Sequence, residues 1–138
     1  MKSLWSAADA ADAVARYTRA GYPEDLAIRV YTTRLLGQVP SLVLHGGGNT
    51  SVKTKWRDLD GSLIDVACVK GSGWDMGTIE PPGLPAVQLG PLKALTRFET
   101  LSDEDMVAQQ RRLLIDPAAP TPSVEAILHA NLPFKHVD

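Results

Sequence analysis

The sequence predicts an α/β domain of α+β character, a single layered unit of sheet and helices. Three observations lead there. The first forty residues carry helical periodicity twice, residues 49–70 alternate and turn like a β-hairpin, and the rest mixes short strand and helix signals. The 138 residues suffice for one domain with a real core, and 44% hydrophobic with 22% charged residues is ordinary for a globular chain.

The first helix opens at Ser6, a capping residue, and runs to about Ala20, with Ala10, Val14 and Tyr17 recurring at helical spacing before Gly21 stops it. Pro23-Glu24-Asp25 starts the second, with proline in the first turn and acids at the positive end of the dipole. Leu26, Val30 and Thr33 share its buried face, widened by Ile28, Tyr31 and Leu35, and Gly37 marks its end. Leu42-Val43-Leu44 reads as a short buried strand. From Asn49 to Trp56 the residues alternate, Asp58-Leu59-Asp60-Gly61 turns the chain, and Leu63–Lys70 returns as the second strand. Ala86–Leu89 is a further short strand, followed by a brief helix near Leu92–Leu95. Ser102-Asp103-Glu104-Asp105 has the capping-box pattern and opens a helix through Met106 to Ile115. After a proline-rich loop, Thr121 caps a last helix with Pro122 at its first position, ending near Leu132.

Composition excludes several function classes. The net charge is −2 with both signs interspersed, which leaves no basic footprint for nucleic acid and no polybasic membrane segment. No apolar run approaches the roughly 20 residues of a membrane span, and the N-terminus lacks a signal-peptide core. Cys68 stands alone, so there is no disulfide framework or cysteine-based zinc site. A cytoplasmic protein is expected.

The stretch "LVLHGGGNTSVK", residues 42–53, carries the chemical question. His45-Gly46-Gly47-Gly48 matches the oxyanion motif of some esterases, but no Gly-x-Ser-x-Gly elbow accompanies it. The Walker and dinucleotide glycine fingerprints are absent too. A phosphate cradle fits better. Gly48-Asn49-Thr50-Ser51 enters the hairpin and Gly71-Ser72-Gly73 leaves it, so the two loops should meet at one end of the strand pair. Glycines let backbone N–H groups approach an anion, and Asn and Ser add side-chain donors. Ser123, in the first turn of the last helix, would be a third contributor. Glu125 lies beside it, with His129 one turn on, and a carboxylate near a bound sugar phosphate is placed to move protons. The plain alternatives stay open: glycines that only turn the chain, and a Glu/His pair that only complements the dipole and fills the core.

With these residues assembled, the sequence resembles the class II aldolase/adducin family. The resemblance is carried by "HGGGNTSVK", "VKGSGWDMG" and "PSVEAILHANLPFKHVD", in that order and at those separations. "MKSLWS", "LAIRVYTTRLLG", "KGSGWDMGTIEPPGLPAV" and "LSDEDMV" are similar to the aldolase half of bifunctional rhamnulose-1-phosphate aldolase/short-chain alcohol dehydrogenase proteins. The resemblance implies a central, mostly antiparallel sheet with helices on both faces. It implies zinc-dependent cleavage of a ketose 1-phosphate, such as rhamnulose 1-phosphate, to dihydroxyacetone phosphate and lactaldehyde, with the metal as Lewis acid. Gly48, Asn49, Ser72, Gly73 and Ser123 would hold the phosphate and Glu125 would be the acid/base. A homo-oligomer acting on a small sugar phosphate is expected.

The departures shape the expectation. The family's His-x-His metal pair is due where the chain reaches His136-Val137-Asp138, and His45, His129 and His136 form no such pair. No metal ligand is therefore nominated in residues 1–138, which are expected to be the N-terminal part of a class II aldolase domain. Zinc ligands, and an NAD-binding dehydrogenase domain if there is one, would lie beyond it. Val124 replaces a serine often found before the glutamate, and Lys70 stands where threonine-proline is usual, as a cation able to help bind an anion. The other functions in view are sugar-phosphate epimerisation or dehydration on the same fold, and a non-catalytic adducin-like association domain.

Overall fold

The computed structural model describes residues 2–138 and sets a four-stranded antiparallel sheet between two groups of helices. Helices α1 (Ala7–Arg19) and α2 (Glu24–Gly37) come first, then strands β1 (Ser51–Arg57) and β2 (Leu63–Val69). A 3₁₀ turn at Pro81–Gly83 leads to β3 (Ala86–Gln88), α3 (Leu89–Ala94), a second 3₁₀ turn (Leu95–Arg97), α4 (Asp103–Arg112), α5 (Ala126–Asn131) and β4 (His136–Val137). The strand order is β3-β2-β1-β4. β1 pairs β2 in the register Ser51↔Val69 through Arg57↔Leu63.

Alternation along β2 builds two cores, because successive side chains leave opposite faces of a strand. Val66 and Cys68 join Tyr17, Leu26, Ala27 and Val30 on the α1/α2 face. Ala67 and Val69 join Val87, Leu92, Leu114, Ala126 and Ala130 on the face covered by α3 and α5. Helices therefore lie on both faces of the sheet, as expected. Cys68 is buried, and burial, helped by the Asp25 charge, pushes its thiol up to about 12; it is a packing residue rather than a reactive one.

Local signals held where caps were strong. The Ser6 hydroxyl accepts the Asp9 amide at 3.3 Å, and the Ser102 hydroxyl accepts the Asp105 amide at 3.1 Å. Pro23 is one residue earlier than expected: it occupies the cap of α2 in an extended conformation, and Glu24 begins the helix.

Three expectations are corrected. Leu42–Leu44 is not a buried strand. The segment is a chain of turns, with the amides of Leu42 and Val43 donating to the Val39 carbonyl at 2.9 and 3.2 Å, and Leu42 and Leu44 are 54% and 65% exposed. The helix from Ser102 ends at Arg112 rather than Ile115, because Leu114 pairs with Val87 and the Ile115 amide donates to Ala86. The last helix begins at Ala126, not Pro122. Pro122 pairs with Gly71, and the Ser123 amide donates to the Lys70 carbonyl at 3.1 Å, so this stretch is drawn alongside the end of the hairpin instead of coiling.

Candidate functional site

The β1–β2 ladder delivers both glycine loops to one place. The Lys70 amide donates to the Thr50 carbonyl at 3.0 Å, which carries the pairing one step past Ser51↔Val69 and sets Asn49 level with Gly71. A side chain on Gly46 would come within 3.1 Å of the Gly73 carbonyl, so the loops are in contact. Gly48 has φ +73° and Gly73 φ +77°, conformations that favour glycine; a Cβ on Gly48 would also strike the Met76 sulfur at 2.7 Å.

A third segment closes the site. The Ser72 amide donates to the Thr121 carbonyl at 3.0 Å, alongside the Ser123–Lys70 bond, and these contacts fix Ser123 and Glu125 beside the loops. The Asn49 side-chain amide donates to Ser123 Oγ at 2.8 Å and to Glu125 Oε2 at 3.2 Å, and Ser123 Oγ donates to the same Glu125 oxygen. Asn49, Ser123 and Glu125 thus form one hydrogen-bonded cluster. Ser123 is buried, while Glu125 sits at the surface.

The structure brings together Gly48, Asn49, Gly73, Ser123 and Glu125. Ser72 lies in the contacting loop with its side chain exposed, and no hydrogen bond joins it to Asn49 among the described residues. Two backbone donors expected at the site are already used: Ser72 gives its amide to Thr121 and Ser123 gives its own to Lys70. Ser123 also lies outside α5, so no helix dipole reaches an anion through it. Among the described residues, the amides of Gly48, Asn49 and Gly73 have no protein acceptor. The donors left at the loop junction are these amides and side-chain groups.

Lys70 is more central than its sequence position suggested. It is 2% exposed, and its ammonium donates to the carbonyls of Gly46 at 3.0 Å and Gly71 at 3.3 Å, one from each loop. Burial lowers its pKa, against the opposing charges of Glu125 and Asp75. A Lys immediately before a Gly-Ser-Gly strand exit was the available signal; the carbonyls that receive it have none. His129 is buried with Nδ1 at 2.8 Å from Ser51 Oγ; its backbone amide donates to the Glu125 carbonyl at 3.0 Å, but among the described residues its ring makes no hydrogen bond to the Glu125 carboxylate, so the two side chains do not act as a hydrogen-bonded couple. Its pKa is lowered, first by burial.

The metal implied by the resemblance does not fit these residues. His45 is exposed at φ 54°, His129 is engaged by Ser51, and His136 lies on β4. Among the described residues no three His, Cys, Asp or Glu side chains converge on a point. What the site presents is a set of loop amides without protein acceptors among the described residues and a hydrogen-bonded carboxylate. No helix among the described residues is long and apolar enough to cross a membrane.

Comparison with known proteins agrees with the architecture. A solved structure, the N-terminal class II aldolase domain of a conserved protein from Thermoplasma acidophilum, superimposes with a TM-score of 0.81 at 38% identity. It matches 99% of this chain, which spans 58% of that one. The uncharacterized oxidoreductase YuxG of Bacillus subtilis (strain 168) is 39% identical over 116 residues, 84% of this chain and 17% of the relative. No family model matches the sequence. The chain has the fold of a class II aldolase domain and spans only part of both proteins.

Proposed function

We propose that this chain is the N-terminal part of a class II aldolase domain that cleaves a ketose 1-phosphate, such as rhamnulose 1-phosphate, to dihydroxyacetone phosphate and lactaldehyde. The observation that carries the reading is the Asn49–Ser123–Glu125 cluster at the junction of two glycine loops. Loop amides and polar side chains at that junction suit a phosphate, and the carboxylate beside them suits proton transfer on the sugar.

In this reading the free amides of Gly48, Asn49 and Gly73, with the hydroxyls of Ser72 and Ser123, bind the phosphate. Asn49 and Ser123 also orient the Glu125 carboxylate. Glu125 moves the proton between the substrate hydroxyl and the carbon freed by cleavage. Zinc and its ligands belong to residues beyond this chain, as does an NAD-dependent dehydrogenase portion. The oxidoreductase name of the Bacillus relative, most of whose length lies outside the match, supports such a fusion.

The test is to assay the full-length protein, supplied with zinc, against ketose 1-phosphates and to identify the products. Release of dihydroxyacetone phosphate with an aldehyde is expected. A product of unchanged carbon number would replace cleavage by epimerisation or dehydration.

A further inference from the structure

Helix α2 carries apolar residues all round its circumference. Leu26, Ala27 and Val30 join the core on its sheet-facing side, whereas Leu35 and Leu36 lie elsewhere on the helix and outside that core. A helix that is apolar on every side belongs in an interior, covered on more than one side. Here Leu35 and Leu36, with Val39 just past the helix end, line a groove of about 480 Å³. Its other wall is the N-terminal arm, through Leu4 and Trp5. The arm is fixed to α2: the Ser6 amide donates to the Tyr31 hydroxyl at 2.9 Å, and the Trp5 ring packs edge-on against Tyr31 with centroids 5.3 Å apart. It does not fill the groove, for Leu4 and Trp5 are each 50% exposed. An open apolar hollow of this kind marks a surface that something covers.

We propose that the occupant is the part of the aldolase domain that directly follows Asp138, an inference that rests on reading residues 1–138 as the N-terminal part of that domain. Asp138 itself lines the groove, together with Arg29, so the chain leaves β4 at the groove wall. Arg29 anchors that point from α2: its guanidinium donates to the Val137 carbonyl at 2.9 Å and pairs with the Asp138 carboxylate. The solved Thermoplasma domain is matched along 99% of this chain but along only 58% of its own length, so a domain of this fold has further residues to place. Arg29 also leaves a polar vacancy for them. It is 4% exposed, and its Nε has no acceptor among the described residues. A buried N–H without a partner is costly, and a carbonyl or carboxylate of the incoming segment satisfies it. With the groove filled, α2 lies between the sheet and the C-terminal part of the domain, the setting its apolar circumference calls for.

The test is made on the full-length protein with the photoprobe p-benzoylphenylalanine in place of Leu36. Isotopically light and heavy chains are mixed, irradiated and mapped by mass spectrometry. The expected result is a cross-link within one chain, from position 36 to aldolase-domain residues after Asp138. A link between light and heavy chains makes the occupant a second copy and overturns the proposal. So does a link to a dehydrogenase portion, or a set of links confined to residues 2–138. Should the Leu36 variant fail to fold, the same probe in place of the half-exposed Leu4, on the opposite wall, decides by the same outcomes. A protein that gives the expected link but cleaves no ketose 1-phosphate keeps this packing and loses the proposed activity. A full-length chain with no aldolase-domain residues after Asp138 ends both.

Discussion

Glu125 and Asn49 share a hydrogen bond, so their substitutions should not separate cleanly. Glu125→Gln preserves the shape and the contacts with Asn49 and Ser123 but cannot carry the proton. Turnover of the full-length enzyme is expected to fall at least ~10²-fold with phosphate affinity retained. Asn49→Ala removes the donor to both Ser123 and Glu125. It should weaken phosphorylated ligands by at least ~10-fold and also lower turnover, because the carboxylate loses an orienting partner. Steady-state kinetics on both variants checks this; a Glu125→Gln enzyme with normal turnover and poor binding would reverse the two roles. At this scale the sequence was informative wherever a side chain does the work. Asn49, Ser123 and Glu125 were all legible as polar groups at the right separations. The backbone was not: nothing in the residue types says that the Ser72 and Ser123 amides are consumed by Thr121 and Lys70.

Elements were readable where a local cap agrees with burial and misread where tertiary pairing overrides it. Ser102 and Thr121 make the contrast. Both precede an acid-containing stretch with helix-start chemistry, yet only Ser102 caps a helix. The Thr121 hydroxyl instead accepts from the exposed Arg111 guanidinium at 2.7 Å, and its carbonyl serves Ser72. Ser102→Ala is therefore expected to cost about 1 kcal/mol, and Thr121→Ala less than about half that. Urea unfolding of the two variants measures the difference, and equal losses would contradict the cap assignment. Leu42–Leu44 failed for a related reason. Three β-forming residues read as a strand, but they lie between the Val39 turn and the glycine loop and have no strand beside them; only Val43 packs inward, against Gly48. The hairpin succeeded because alternation, turn chemistry and return strand all select one register.

Across the whole molecule, titratable contacts tie the segments together, and their order of failure in acid can be worked out. His129 links α5 to β1 through Ser51, and His136 lies on β4. Burial comes first in lowering both pKa values from the ordinary 6.5. The unfolded chain therefore takes up these protons before the folded one, and stability is lost as pH falls below about 6.5 until the folded values are reached. Asp25 binds Lys135 at 2.8 Å, and Glu80 accepts from Tyr17 at 2.8 Å and pairs with Arg34. Burial raises both carboxyls, but hydrogen bonds and the neighbouring cations outweigh it, so their folded pKa values lie below the ordinary 3.8 and 4.5. Their contribution is present above those values and is lost only as pH falls through the lower folded ones. Acid should thus loosen α5 and the C-terminal segment first, and the joints of α1 and α2 later. Urea midpoints are expected to decline between about pH 7.5 and 5.5, with a second decline below about pH 4.5. His129→Gln keeps a partner for Ser51 without the titration and should flatten the first decline, with His136 supplying what remains. An unchanged first decline in His129→Gln would show that α5 is not the acid-sensitive joint. Because α5 follows directly from Glu125, the same variant should also hold the candidate site together at mildly acidic pH.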